Sequence, residues 1–473
     1  MLTPYEHQKR AISQAIDNLQ RHGFHALFME MGTGKTKTTI DTFLSIPTFY
    51  NSLLIIAPKA ICSVWIDDEL PKHMNVPYAI ATWDGRTTKK SEEEFGRIIE
   101  SEEKSIYVVN VEAFQSLPEA MRNRVRTFLQ KRLVLMVIDE SSYIKTYNAK
   151  RSKNILLAGK LAKGRMILSG TEITNTPLDL YMQFEFLHPG FWNVKSYFLF
   201  RARYALLEDA YGPGGRTFKK VVGFQRMQEL MDRISPYCSR ALKKDCLDLP
   251  EKIHVKIHVE LSDSQRRIYK ELKEQLMALI EESVLTVPNK VALFTKFRQI
   301  TGGAINVKGE SKIIDDSPPK LQMLLAELQD TDEQAIITAA FTHEIKMLVR
   351  ELSKLAPTVA FFGDNVVERD IGKRLFMEGK VRFMVLNPQA GAFGLNLQDH
   401  CHLQYSYSRV LSPSQNWQME DRIHRPGQKE VCVYKTLITK GTVDERIEEL
   451  LAAKTDIRAK FQDMTIEDIF NLV

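Results

Sequence analysis

No apolar run in this sequence approaches the ~18 residues that a membrane-spanning helix needs. The first ten residues, MLTPYEHQKR, hold no apolar targeting core. Cysteine is scarce: Cys62, Cys238, Cys246, Cys401 and Cys432 are far apart and form no C-x-x-C pair. That excludes a zinc ribbon or a disulfide framework and leaves reduced thiols. Internal repeats and low-complexity tracts are missing too, which excludes collagen-like and disordered chains. Net charge is slight, 65 Lys and Arg against 59 Asp and Glu, or +6 over 473 residues. An excess that small identifies no nucleic-acid binder and permits one only if the charge is concentrated on one face.

What remains is an ordinary globular composition, 44% hydrophobic and 26% charged. The length exceeds the ~250–300 residues at which a single core stops growing, so two or more domains are expected. A soluble protein of the cytoplasm is expected, with the nucleus left open and no membrane partner.

Apolar, β-branched runs bounded by turn residues recur in two sets. The first comprises Ala26–Glu30, Ser52–Pro58, Ser105–Val111, Leu133–Glu140 and Arg165–Thr171. The second comprises Glu333–Phe341, Thr358–Gly363, Val381–Pro388, His402–Tyr407 and Val431–Ile438. Strands alternating with helical patterns predict an α/β fold with parallel sheets, here twice over. Between the sets, Tyr181–Lys308 is mostly of helical period, with a Gly-Pro-Gly-Gly turn at Gly212–Gly215 and a linker strand at Val255–Leu261. Charge is uneven: Ser142–Arg165 holds seven Lys/Arg and no Asp/Glu, and Lys195–Lys256 holds thirteen against seven.

The segment Met29-Glu-Met-Gly-Thr-Gly-Lys-Thr36 follows the first strand run and precedes a helical one. Such a loop turns backbone N–H groups toward phosphate oxygens at a helix N-terminus. Gly32, Thr33 and Gly34 form the loop, Lys35 reaches the β/γ-phosphates and the Thr36 hydroxyl ligates Mg²⁺. Met29 stands where the first glycine of the pattern belongs. The complementary half is an acidic pair ending an apolar strand, Leu133-Val-Leu-Met-Val-Ile-Asp139-Glu140. Asp139 suits the metal and Glu140 suits the attacking water, because γ-phosphoryl transfer depends on positioning and charge neutralisation.

These motifs and their spacing resemble the superfamily II helicase-like ATPases, and further segments narrow the likeness to the Swi/Snf-type branch. Leu2-Thr-Pro-Tyr-Glu-His-Gln8 resembles the glutamine motif, and Pro58, Trp65 and Glu69 resemble its "P…W…E" pattern. Asp139–Lys145 resembles DEAH-x-x-K, with Ser141 and Ser142 departing from Ala and His. Ser169-Gly170-Thr171 matches the third motif, with Glu172 in place of proline. Arg240, Lys243, Lys244 and Asp245 before Leu249-Pro250 are similar to the branch's link segment. Ala390–Leu397 is similar to the fifth motif, and Gln418–Gln428 to the sixth, Q-x-x-D-R-x-H-R-x-G-Q.

The resemblance implies two RecA-like parallel-sheet lobes in tandem with helical insertions. It places an N-terminal ATPase lobe at 1–185, insertions and linker at 186–310, a second lobe at 311–450 and a helical tail at 451–473. It implies ATP and Mg²⁺ as cofactors, with Gln8 reading the adenine edge and Arg422 and Arg425 as arginine fingers. Ser169, Gly170, Thr171, Gly394 and Gln418 would couple hydrolysis to movement. Double-stranded DNA is the implied partner, contacted on its backbone without sequence preference by Lys59, Lys145, Lys150, Arg151, Lys243, Lys244 and Asn396. A monomeric, compact, bacterial- or bacteriophage-like motor is expected, with no length left for a targeting domain and room for a protein partner. A strand-separating DNA or RNA helicase and a hydrolysis-deficient DNA-binding scaffold remain the alternatives.

Overall fold

The computed structural model describes residues 3–170, 176–211, 217–246, 248–281, 287–307, 310–362, 366–388 and 395–452. The chain divides into two compact units, Met1–Leu247 and Asp248–Val473. No described helix is long and apolar enough to cross a membrane.

In the first unit, helix α1 (Glu6–Arg21) precedes β1 (Phe24–Met29), and helix α2 (Lys35–Ser45) follows it. The sheet continues with β2 (Ser52–Ala57), β3 (Tyr78–Trp83), β4 (Lys104–Asn110), β5 (Val134–Ile138) and β6 (Gly164–Ser169). A hairpin, β7 (Ala205–Tyr211) and β8 (Thr217–Phe224), stands apart from that sheet, and β9 (Cys238–Ala241) returns to it. The strand order is β3-β4-β2-β5-β6-β1-β9, with every pairing parallel. Ile56, Val109, Ile138 and Ile167 fill one face, and Ile55, Val108, Val137 and Leu168 the other. Apolar residues at consecutive positions are what a strand covered on both faces requires. Each such side chain contributes roughly 1.5–3 kcal/mol by its burial.

The second unit contributes β10 (Lys252–Val259), a small pair β11 (Ala304–Val307) and β12 (Glu310–Ile313), then β13 (Ala335–Thr338) and β14 (Thr358–Phe361). Its last strands are β15 (Phe383–Leu386), β16 (Leu403–Ser406) and β17 (Cys432–Thr439). The order β10-β17-β16-β13-β15-β14 is again parallel throughout. The two tandem parallel sheets expected from the sequence are therefore present.

The middle stretch is shared between the two units. Residues up to 247 belong to the first unit and those from 248 to the second. Two strands mark the division, since the short β9 pairs with β1 and β10 pairs with β17 along its whole length. A buried polar chain secures β9. The Asn18 amide donates to His25 Nδ1 at 3.0 Å, His25 Nε2 donates to Ser239 Oγ at 3.0 Å, and Ser239 Oγ donates to Gln14 at 2.8 Å. Burial pushes His25 down to about 3, so its imidazole stays neutral and can both accept and donate.

Glu344, on the helix Thr342–Leu352, is fully buried in the second unit. Its Oε2 accepts bonds from the Phe341 amide and the Ser408 hydroxyl, while Oε1 has no hydrogen-bond partner among the described residues. Burial pushes its carboxyl up to about 7, against the pull of nearby Lys320 and Arg298. The fold therefore favours the protonated form. The stability this group contributes is complete below its ordinary value of 4.5 and is lost as pH rises through about 7. Scanning calorimetry should show a midpoint that falls between about pH 5 and about pH 8 in the native chain. Glu344→Gln should flatten that slope, and equal slopes in the two proteins would contradict the assignment.

Candidate active site

Helix α2 starts where the loop after β1 presents its amides, outside the carboxyl ends of the strands. The chain reverses at Gly32 (φ 83°) and Gly34 (φ 88°), a left-handed backbone region that favours glycine. Met29 is the buried last residue of β1, ahead of that reversal, so the turn does not need a glycine there. A Cβ on Gly34 would lie 2.1 Å from Gln8 Nε2. Glycine thus lets Gln8 close over the loop, where Nε2 donates to the Thr33 carbonyl at 3.0 Å. His7 Nε2 donates to the same oxygen at 2.8 Å, and Gln8 Oε1 accepts from the Tyr5 amide. Thr33 is closed back on Glu30, whose carbonyl accepts its amide at 3.2 Å and its hydroxyl at 2.7 Å. Lys35 Nζ donates to the Met29 carbonyl at 2.8 Å.

At the end of β5, Asp139 is almost fully buried and both carboxylate oxygens are engaged. Oδ1 accepts from the Glu140 amide at 2.9 Å and Oδ2 from Trp65 Nε1 at 2.9 Å. Burial raises the Asp139 pKa, opposed by the Trp65 hydrogen bond and by the Lys35 charge. Lys35 and Asp139, distant in sequence, are thus electrostatic neighbours. Glu140 sits at φ 52°, a left-handed backbone for a residue with a Cβ, held at a site that demands it. Ser141, the departure from the family's alanine, is accommodated because its hydroxyl donates to Gln183 Oε1 at 2.5 Å. Ser169 ends β6 between the two motif strands, and a Cβ on Gly170 would lie 4.0 Å from Met31 Cγ. Thr171 and Gly394 lie outside the described residues.

Thr36 and Asp139 offer a hydroxyl and a carboxylate, the hard oxygen donors that Mg²⁺ prefers. A buried carboxylate whose ionised form is disfavoured is also one that a divalent cation would stabilise, so the residues present fit the ion.

In the second unit the helix Pro413–Glu420 ends before the two arginines, which therefore do not share a helical face. Arg422 is 4% exposed, and its guanidinium donates to the Gln418 carbonyl at 3.2 Å and the Leu395 carbonyl at 3.3 Å. Arg425 is only half-buried and donates to the Asn396 side-chain oxygen. Two other fixed positions of the sixth motif are also internal brackets. His424 Nε2 donates to the Pro250 carbonyl at 2.8 Å, and Gln428 bonds the Cys401 and Ile423 carbonyls.

The seven residues expected to touch DNA differ in availability. Lys59, Lys150 and Lys244 are exposed. Lys145 pairs with Asp179 at 3.3 Å, and Arg151 donates to the Tyr143 carbonyl while lying over that ring. Lys243 is 8% exposed, and Asn396 is engaged by Arg425. Sequence reasoning gave no role to Trp65, Glu30 or Gln183. Trp65 was marked by its place in the "P…W…E" pattern, but the carboxylate it holds lies beyond the reach of any local signal.

An uncharacterized ATP-dependent helicase of Mycoplasma genitalium is 26% identical over 484 residues, covering 98% of this chain and 42% of that protein. The TATA-binding protein-associated factor MOT1 of Saccharomyces cerevisiae is 26% identical over 377 residues, covering 68% of this chain and 20% of that protein. The solved SWI2/SNF2 ATPase core of Sulfolobus solfataricus in complex with double-stranded DNA aligns at a TM-score of 0.43. Its identity is 24%, over 100% of this chain and 95% of that one. The chain spans less than half the length of these two sequence relatives. The SNF2-related domain matches residues 7–306, well over half of the sequence, and the chain belongs to the SNF2-related family.

Proposed function

We infer that this chain is an ATP-driven motor that moves along double-stranded DNA through sequence-independent backbone contacts. The observation that carries the reading is the convergence of Lys35, Asp139 and Glu140 at the carboxyl ends of β1 and β5. Family membership and the ATP-dependent helicase relative support it. In this reading the loop amides and Lys35 hold the β/γ-phosphates, and Gln8 orients the adenine edge. Mg²⁺, held by Thr36 and Asp139, would supply charge neutralisation at the phosphates. Glu140 orients the attacking water and takes its proton as the γ-phosphoryl group leaves ADP. Arg425, on the second unit, provides transition-state charge, and Arg422 holds the turn that carries it. Ser169, Gly170, Thr171, Gly394 and Gln418 relay the change to the DNA contacts.

DNA contact is supported by the concentration of positive charge in Ser142–Arg165 and by the exposed Lys59, Lys150 and Lys244. The nearest alternative is strand separation, for which the β7–β8 hairpin, with Phe218 48% exposed, is the described element that suits a wedge. ATP turnover measured with duplex DNA, single-stranded DNA and RNA separates these readings. Duplex should stimulate most, and displacement of a triplex strand should proceed without unwinding of a forked duplex. Stimulation by RNA alone, or unwinding without triplex displacement, would overturn duplex translocation.

A further inference from the structure

Glu30 is bonded in two directions at once. Its main chain belongs to the phosphate loop, where the carbonyl takes both the amide and the hydroxyl of Thr33. Thr33 in turn is the residue on which Gln8 and His7 close. On its other side, the Glu30 amide donates to the Ala241 carbonyl at 2.9 Å, extending the β1–β9 register by one more bond. Its carboxylate Oε2 then accepts the Lys243 amide at 2.6 Å. Lys243 opens the helix Lys243–Cys246, the last element of the first unit, and the chain crosses into the second unit at Asp248.

We propose that Glu30 is a positioning residue that tethers the phosphate loop to the segment leading into the second unit, so that nucleotide at the loop and the setting of that segment are read together. The proposal rests on the ATPase reading above. Its physical basis is short. A carboxylate bonding an amide at a helix start is a charge-assisted bond that also complements the helix dipole. Gln8 is joined to Lys243 by hydrogen bonds alone: one from Gln8 to the Thr33 carbonyl, two from Thr33 to the Glu30 carbonyl and one from the Lys243 amide to the Glu30 carboxylate. A nucleotide that reorganises Thr33 must therefore strain or release the Lys243 amide.

If Glu30 merely capped a short helix, bound nucleotide would leave that helix undisturbed. Hydrogen exchange at the 243–246 amides, followed with and without a non-hydrolysable ATP analogue, should change on nucleotide binding in the native chain. In Glu30→Ala that response should vanish, and the ratio of duplex-stimulated to basal turnover should drop about tenfold, the scale of a typical coupling energy. Glu30→Gln, whose amide oxygen still accepts the bond, should rescue most of both. Lys243→Pro removes the donor together with the lysine side chain, so Lys243→Ala, which keeps the amide, is paired with it: the exchange response at 244–246 should be lost in the first and kept in the second. Exchange at 243–246 that ignores bound nucleotide in the native chain would overturn the tether while leaving the ATPase reading intact. Glu30→Ala with an undiminished stimulation ratio would do the same. A native chain that binds and hydrolyses no ATP would instead sink the functional reading itself.

Discussion

Glu140→Gln is expected to lower ATP turnover by about 10²–10⁴-fold, the range lost when a positioned proton acceptor is removed. The substitution keeps the side chain's shape at a residue whose φ of 52° is already fixed by its surroundings, so folding should be unaffected. Nucleotide binding should survive, because the proposed phosphate contacts belong to the loop and Lys35. Lys35→Ala should be at least as damaging, for a different reason. It removes the charge proposed to hold the phosphates, the bond to the Met29 carbonyl and a cation beside the buried Asp139. Its stability cost should be small, about 1 kcal/mol for the lost hydrogen bond. Steady-state phosphate release, paired with a nucleotide-binding titration, checks both. Turnover remaining within about tenfold of native in the two variants would remove this loop and this acidic pair from the catalytic centre.

The arginines of the sixth motif should separate by what they lose. Arg425→Ala should cost about 10³-fold in kcat, the low end for an arginine finger, with the unfolding midpoint nearly unchanged. Arg422→Ala should destabilise the second unit by about 1–3 kcal/mol, because the Leu395 carbonyl, whose bond is buried, and the partly buried Gln418 carbonyl each lose a donor. Lysine should not rescue Arg422, since one ammonium cannot reproduce a planar fork that reaches two acceptors. Measuring kcat and thermal midpoint on the same preparations decides the matter. The opposite pattern, with Arg425→Ala unfolding and Arg422→Ala folded but inactive, would exchange their roles.

Much of this was legible in the chain because the chemistry is local. A strand, a glycine turn and a helix start are written within Phe24–Ser45, and the acidic pair follows a fully apolar strand. Both parallel sheets could be anticipated from runs such as Ser52–Ala57 in the first and Ala335–Thr338 in the second, which owe their composition to burial on two faces. What could not be read depends on partners distant in sequence. The four residues of β9, Cys-Ser-Arg-Ala, have no strand-like pattern and form a strand because β1 offers its edge and His25 a bond to Ser239. Arg422 and Arg425 are the same residue type three positions apart. Only packing shows that Arg422 donates to the Gln418 and Leu395 carbonyls within its own unit. Glu30 sits inside an evident motif, yet its carboxylate answers to an amide 213 positions away. The net charge of +6 concealed both the basic start of the helix Lys150–Gly159 and the acidic residues that offset it elsewhere.

The pairing of β10 with β17 also sets an order for biosynthesis. The first unit has all of its strands once residue 247 has left the ribosome. The strand made next, Lys252–Val259, must wait for a neighbour that begins only at Cys432. At ~5–20 residues per second that interval is on the order of ten seconds or more. Through it the nascent chain carries an unpaired strand with Ile253, Val255, Ile257 and Val259 at alternate positions, a template for association with other chains. Lys252, His254, Lys256 and His258 occupy the positions between. Charge and imidazole on the intervening positions discourage edge-to-edge aggregation while the rest of the second sheet is still being translated.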